Sequence, residues 1–123
     1  MTDETKAYMT ANNAMPSDFN RRAYEHFVKA IGKHPRFADA LFGEDEKDNA
    51  EGALKQARCE IGYLAAHNWL DGDSLTQCEL AEAQLAYARG DKAATISELY
   101  DAVAVLMRMI AVVEGKQKLG GEK

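Results

Sequence analysis

Two prolines, Pro16 and Pro35, are all that the 123 residues contain, and β-branched runs and alternating apolar–polar stretches are scarce. These shortages exclude a sheet-rich architecture and predict an all-α domain. No apolar run approaches the ~18 residues that a membrane helix needs, and the polar, acid-containing N-terminus is unlike a signal peptide. A basic excess is also missing: 15 Lys+Arg stand against 20 Asp+Glu, for a formal net charge of −5. An acidic chain without a basic stripe is a poor binder of a phosphate backbone, so neither nucleic acid nor membrane is the expected partner. Metals, metal-bound phosphates and proteins fit better. The two cysteines, Cys59 and Cys78, form no spaced framework and read as free thiols in a reducing cytoplasm. What is present is ordinary for a globular protein, 46% hydrophobic and 28% charged residues at a length that fits one domain.

The pattern predicts a flexible arm over 1–16, a single all-α domain over 17–115 and a flexible polar tail over 116–123. Ser17 is placed to cap a first helix whose apolar face is Phe19, Ala23, Phe27, Ala30 and Ile31. The segment from His34 to Phe37 breaks it, and a short helical piece over Ala38 to Phe42 follows. A second helix is expected from Asp48, where Asp48 and Glu51 have capping-box spacing, to about Trp69. Its stripe is Ala50, Leu54, Ala57, Ile61, Leu64 and Asn68. Ser74 with Gln77 forms another capping box and opens a third helix to Arg89. Gly90 is placed as a left-handed cap and Asp91 as the next N-cap. In the fourth helix, Ile96, Leu99, Val103, Leu106, Ile110 and Val113 follow strict 3-4-3-4-3 spacing, the pattern of a bundle seam. A second stripe, Val105, Met109 and Val112, makes this helix apolar on more than one side. The expectation is an antiparallel bundle of four main helices, completed by oligomerisation.

Glu79 and Glu82 on the third helix, and Glu98 and Asp101 on the fourth, each lie at i and i+3 and so share a face. Glu82 precedes Gly90 by eight residues and Glu98 follows it by eight; Glu79 and Asp101 are each eleven away. At about 1.5 Å per residue, an antiparallel hairpin lifts all four to one level, ~12–17 Å from its tip. None has a Lys or Arg at i+4, where Ala83, Ala86, Ala102 and Val105 stand. Four nearly coplanar acids against apolar surroundings repel and resist desolvation, and divalent cations remove that difficulty. All-oxygen ligation suits Mg²⁺ or Mn²⁺.

The run Glu79-Leu80-Ala81-Glu82, fifteen residues, then Glu98-Leu99-Tyr100-Asp101 resembles the Glu-x-x-Glu…Glu-x-x-Asp signature of the MazG-like all-α nucleoside triphosphate pyrophosphohydrolases. The resemblance covers about residues 50–114. It implies that the four acids bind Mg²⁺ and that a (d)NTP is cleaved between its α and β phosphates to a monophosphate and pyrophosphate. It also implies a homodimer or homotetramer. Cys78 stands where many members carry a further acid. Under this reading Glu79 and Glu82 are the candidates for activating water, because their helix leads from the loop where substrate would enter.

A triphosphate also wants fixed positive charge. Arg108, seven residues beyond Asp101 on the same face, either meets the phosphate tail or pairs with an acid on another helix. Lys55 and Arg58 are weaker candidates, while Arg89 and Lys92 belong to the hairpin tip. For the base, Asn68 offers an amide and Trp69 a stacking face, beside His67; core is the commoner role for such a Trp. His26 and His34 are isolated and make no zinc site. The competing reading is a non-catalytic helical oligomerisation or interaction protein with a structural or vestigial acidic metal site. The small size suits a phage or prophage gene as well as a cellular one.

Overall fold

The computed structural model describes residues 15–34, 41–43 and 46–116. It is all-α: α1 spans Phe19–Lys33, α2 Glu46–Ala66, α3 Gly72–Ala88 and α4 Lys92–Val113. Among the described residues there is no strand, and no helix is long and apolar enough to cross a membrane. The arm up to residue 14, residues 38–40 of the expected short helix, the Asp48 side chain and the tail from 117 lie outside the described residues. Leu41 and Phe42 form a bend instead of helix. The chain divides into two compact units, Ala40–Leu106, and Met1–Asp39 with Met107–Lys123.

In the unit Ala40–Leu106, α2 packs along α3. The expected α2 stripe faces inward: Ala50 and Leu54 are buried, and Ala57, Ile61 and Leu64 half-buried. Leu54 meets Cys78 and Ala81 of α3, with Ala57, Ile61 and Leu85 around them. Asn68 does not extend this stripe. α2 ends at Ala66, three residues before Trp69, because Asn68 turns into the left-handed region at φ 57°. The Asn68 N–H donates to the Ala65 carbonyl at 3.1 Å and the Trp69 N–H to Leu64 at 2.9 Å. That pair of bonds is a Schellman cap with asparagine in the position usually taken by glycine.

α3 opens two residues before Ser74. Asp71 is its N-cap, and its carboxylate accepts from the Ser74 N–H at 2.6 Å and the Ser74 hydroxyl at 3.1 Å. A carboxylate at this position caps as well as a hydroxyl and also meets the positive helix end. Gln77 instead donates to Asp73 at 3.0 Å. The α3–α4 turn closes with Gly90 at φ 74° and the Asp91 carboxylate accepting from the Ala94 N–H at 3.0 Å.

The orientation of α4 departs from the expected seam. Thr95 and Ala102 are buried and Glu98 and Val105 half-buried, whereas Ile96, Leu99, Val103 and Leu106 stay open to solvent, Ile96 at 50% and Leu106 at 45% exposure. Thr95 and Ala102 on α4, like Ala81 and Ala83 on α3, are small. The stripe that carries them lies inward and the bulkier stripe is left outside.

In the other unit, α1 has no buried residue, and Phe27 and Ile31 of its expected inner face are exposed. Its N-cap is Asp18, left-handed at φ 48° and making no side-chain cap bond, in place of Ser17. The Ser17 N–H donates to Glu114 Oε1 at 3.0 Å, and Arg22 Nη1 to Glu114 Oε2 at 3.0 Å. These donors, with the backbone bond first, hold the Glu114 carboxyl below the usual range.

Candidate metal centre

α3 and α4 leave the Gly90 turn with two carboxylates each on their facing sides. Glu79, Glu98 and Asp101 each offer one oxygen, and the three oxygens lie within 4.8 Å of one another. Glu79 and Glu98 are half-buried and Asp101 is exposed, so the cluster has an inner floor and an open mouth. Glu82 belongs to the same group differently: it shares a hydrogen bond with Glu98 and forms an ion pair with Arg58 of α2 at 3.5 Å.

Crowded carboxylates keep their protons. The Glu98 carboxyl is pushed up to about 8, first by the hydrogen bond to Glu82, then by burial and by the charges of Glu82 and Asp101. Glu79 is pushed up to about 7, mainly by burial and then by the same two neighbours. Burial, followed by the negative charges of Glu82 and Glu79, raises the Cys78 thiol too, so Cys78 is a neutral part of the wall. A divalent cation offers the same relief as those protons. The donor set fits one: it is all carboxylate oxygen, the hard ligands of Mg²⁺ and Mn²⁺. Glu98 Oε2, buried without a hydrogen-bond partner among the described residues, is an acceptor with capacity to spare.

The remaining candidates distribute unevenly. Lys55 and Arg58 are exposed on α2 and line a groove of about 420 Å³ together with Glu51, Leu54, Cys59 and Leu85. Arg108 is half-buried further along α4, in the other unit. Asn68 is exposed and spends its backbone on closing α2, so it is no buried edge-reading amide. Trp69 is 60% exposed, so it is not core; one side of its ring stacks on His67 at 4.8 Å between ring centroids, and His67 lies 4.4 Å from Tyr63. Sequence reasoning missed the contact of Arg58 with Glu82. The available signal was that Arg58 follows the buried Leu54 by four residues and so borders the face that α2 turns toward α3.

No family model matches the chain, and no curated protein or solved structure is significantly similar to it.

Proposed function

We propose that the chain is a MazG-like, divalent-metal-dependent (d)NTP pyrophosphohydrolase that cleaves between the α and β phosphates to give a (d)NMP and pyrophosphate. The observation that carries this reading is the convergence of Glu79, Glu98 and Asp101 within 4.8 Å, with Glu82 bonded to Glu98 beside them. Glu79, Glu82, Glu98 and Asp101 would hold Mg²⁺ or Mn²⁺. Bound there, the ion would polarise phosphoryl oxygens and offset charge on the departing pyrophosphate. The chain's own contribution to the chemistry is a base. Water adds to the α-phosphorus, the α–β anhydride bond breaks, and Glu79 or Glu82 takes the water's proton. The open mouth at Asp101 would admit substrate.

The exposed stripe Ile96, Leu99, Val103 and Leu106 supports self-association into a homodimer or homotetramer, in which a second copy covers it. The same stripe is the observation that favours the competing reading, a helical oligomerisation protein whose acids hold a structural metal. Cytoplasm, where nucleoside triphosphates and Mg²⁺ abound, is the setting this activity requires.

Product analysis separates the readings. Incubation with each common NTP and dNTP in Mg²⁺ or Mn²⁺, followed by ion exchange, should yield monophosphate and pyrophosphate, and Asp101→Asn should abolish them. Diphosphate and phosphate would keep the metal centre and overturn the cleavage site; no turnover with either metal would favour the oligomerisation protein.

A further inference from the structure

The groove between α2 and α3 adjoins the acids through one side chain. Arg58 lines the groove and also reaches Glu82 Oε1 at 3.5 Å, a long contact for an ion pair. Its side chain is 63% exposed, so little packing holds it there. Lys55, one turn earlier on the same face, forms no ion pair among the described residues. The one carboxylate in the groove, Glu51, is matched by Arg89 at 3.3 Å. In a chain of net charge −5, this leaves a local surplus of positive charge above an apolar floor of Leu54 and Leu85. Its volume of about 420 Å³ lies within the range of small-molecule sites, about 300–1,000 Å³.

We propose that this groove binds the polyphosphate tail of an anion chelated at the acidic centre, and that Arg58 exchanges Glu82 for that tail when a divalent cation arrives. The inference rests on the metal reading above and adds the place and the polarity of the ligand. The guanidinium and a divalent cation compete for the charge of Glu82. Without metal, Arg58 is the counter-ion of the cluster; once the cluster is neutralised, its planar donor fork turns to a group it fits bidentately, a phosphate. Lys55 supplies a second, point-like charge along the tail. The exchange couples the two events, since an anion that holds Arg58 in the groove keeps Glu82 available to the metal.

The coupling has a signature that a plain structural ion pair lacks: removing Arg58 shifts the two affinities in opposite directions. Calorimetric titration of the full chain with Mg²⁺ alone, and then with inorganic tripolyphosphate at saturating Mg²⁺, reads both. In Arg58→Ala, Mg²⁺ alone should bind about two- to fivefold more tightly, the range of a lost surface ion pair. Tripolyphosphate should bind at least about tenfold more weakly, as expected for a lost charge-assisted hydrogen bond. Lys55→Ala should weaken tripolyphosphate and leave Mg²⁺ unchanged. Circular dichroism, expected to be unaltered for side chains this exposed, controls for folding. If both affinities fall together in Arg58→Ala, or tripolyphosphate ignores both variants while Mg²⁺ still binds, the groove proposal is overturned and the metal centre stands. If wild-type protein binds no Mg²⁺, the metal reading fails and takes the groove with it.

Discussion

Glu98 and Glu82, sixteen positions apart, share a hydrogen bond across the α3–α4 hairpin, and that bond is the largest reason the Glu98 carboxyl titrates near 8. Two ionised carboxylates cannot make it, so below about pH 8 Glu98 keeps its proton in the metal-free protein. Glu82 meets Arg58 at the same time. The centre is thus a set of acids held together by a proton on one side and a guanidinium on the other, and a divalent cation competes with both.

This arrangement predicts an unusual pH profile. A glutamate in the unfolded chain loses its proton near 4.5, whereas Glu79 and Glu98 keep theirs to about 7 and about 8. Between those values the folded state binds more protons than the unfolded state, so raising the pH favours unfolding. The cluster's contribution is fully present below the unfolded value and is lost as pH rises through the folded ones. Melting temperatures in EDTA should therefore fall between about pH 5 and pH 8, and Mg²⁺ or Mn²⁺ should restore them at the upper end. A metal-free profile that stays flat would remove the shared proton from the account.

Glu98→Gln keeps the shape of the side chain and discards its charge. Without metal, the variant should be at least as stable as wild type at pH 8, with a shallower pH dependence. Its Mn²⁺ affinity, read by electron paramagnetic resonance, should drop at least about tenfold, since even the partners that merely orient metal ligands are worth 10–100-fold. Unchanged Mn²⁺ binding would take Glu98 out of the ligand set.

Asn68 separates a helix cap from a base reader. At φ 57° a residue with a Cβ and no compensating side chain is strained, so Asn68→Ala should cost about 1 kcal/mol in urea unfolding, while Asn68→Gly should cost nothing. Neither should alter substrate preference. A change in base selectivity with Asn68→Gly would return the residue to the ligand site.

The exposed α4 stripe is testable without nucleotide. Val103→Glu with Leu106→Lys should shift sedimentation velocity toward monomer and leave helicity intact, because neither side chain is buried in the single chain. A wild-type protein that sediments as a monomer at high concentration would leave the stripe without a second copy to cover it.

The sequence by itself determined the all-α class and the position of the α3–α4 turn. Asp91 and Gly90 mark the α3–α4 turn through local backbone chemistry, which needs no distant contact, and Ala50, Leu54, Ala57, Ile61 and Leu64 announce an inner face through their spacing. The i, i+3 pairs of acids on either side of Gly90 were legible for the same reason. Cap identity was less so: Asp71 and Ser74 are both good caps, and the choice depends on which backbone N–H groups the whole chain leaves open.

Only the tertiary structure decided which face of α4 turns inward. Hydrophobic periodicity ranks the Ile96–Leu99–Val103–Leu106 stripe first because burial of large side chains yields more free energy in isolation. The Thr95–Glu98–Ala102 stripe lies inside instead, and it carries Glu98, beside its helix neighbour Asp101, to Glu79 of α3. Tertiary structure also decided the partner of Glu82. Arg58 is 24 residues away and on another helix, and a contact between side chains that far apart depends on how α2 and α3 pack, which no local spacing encodes.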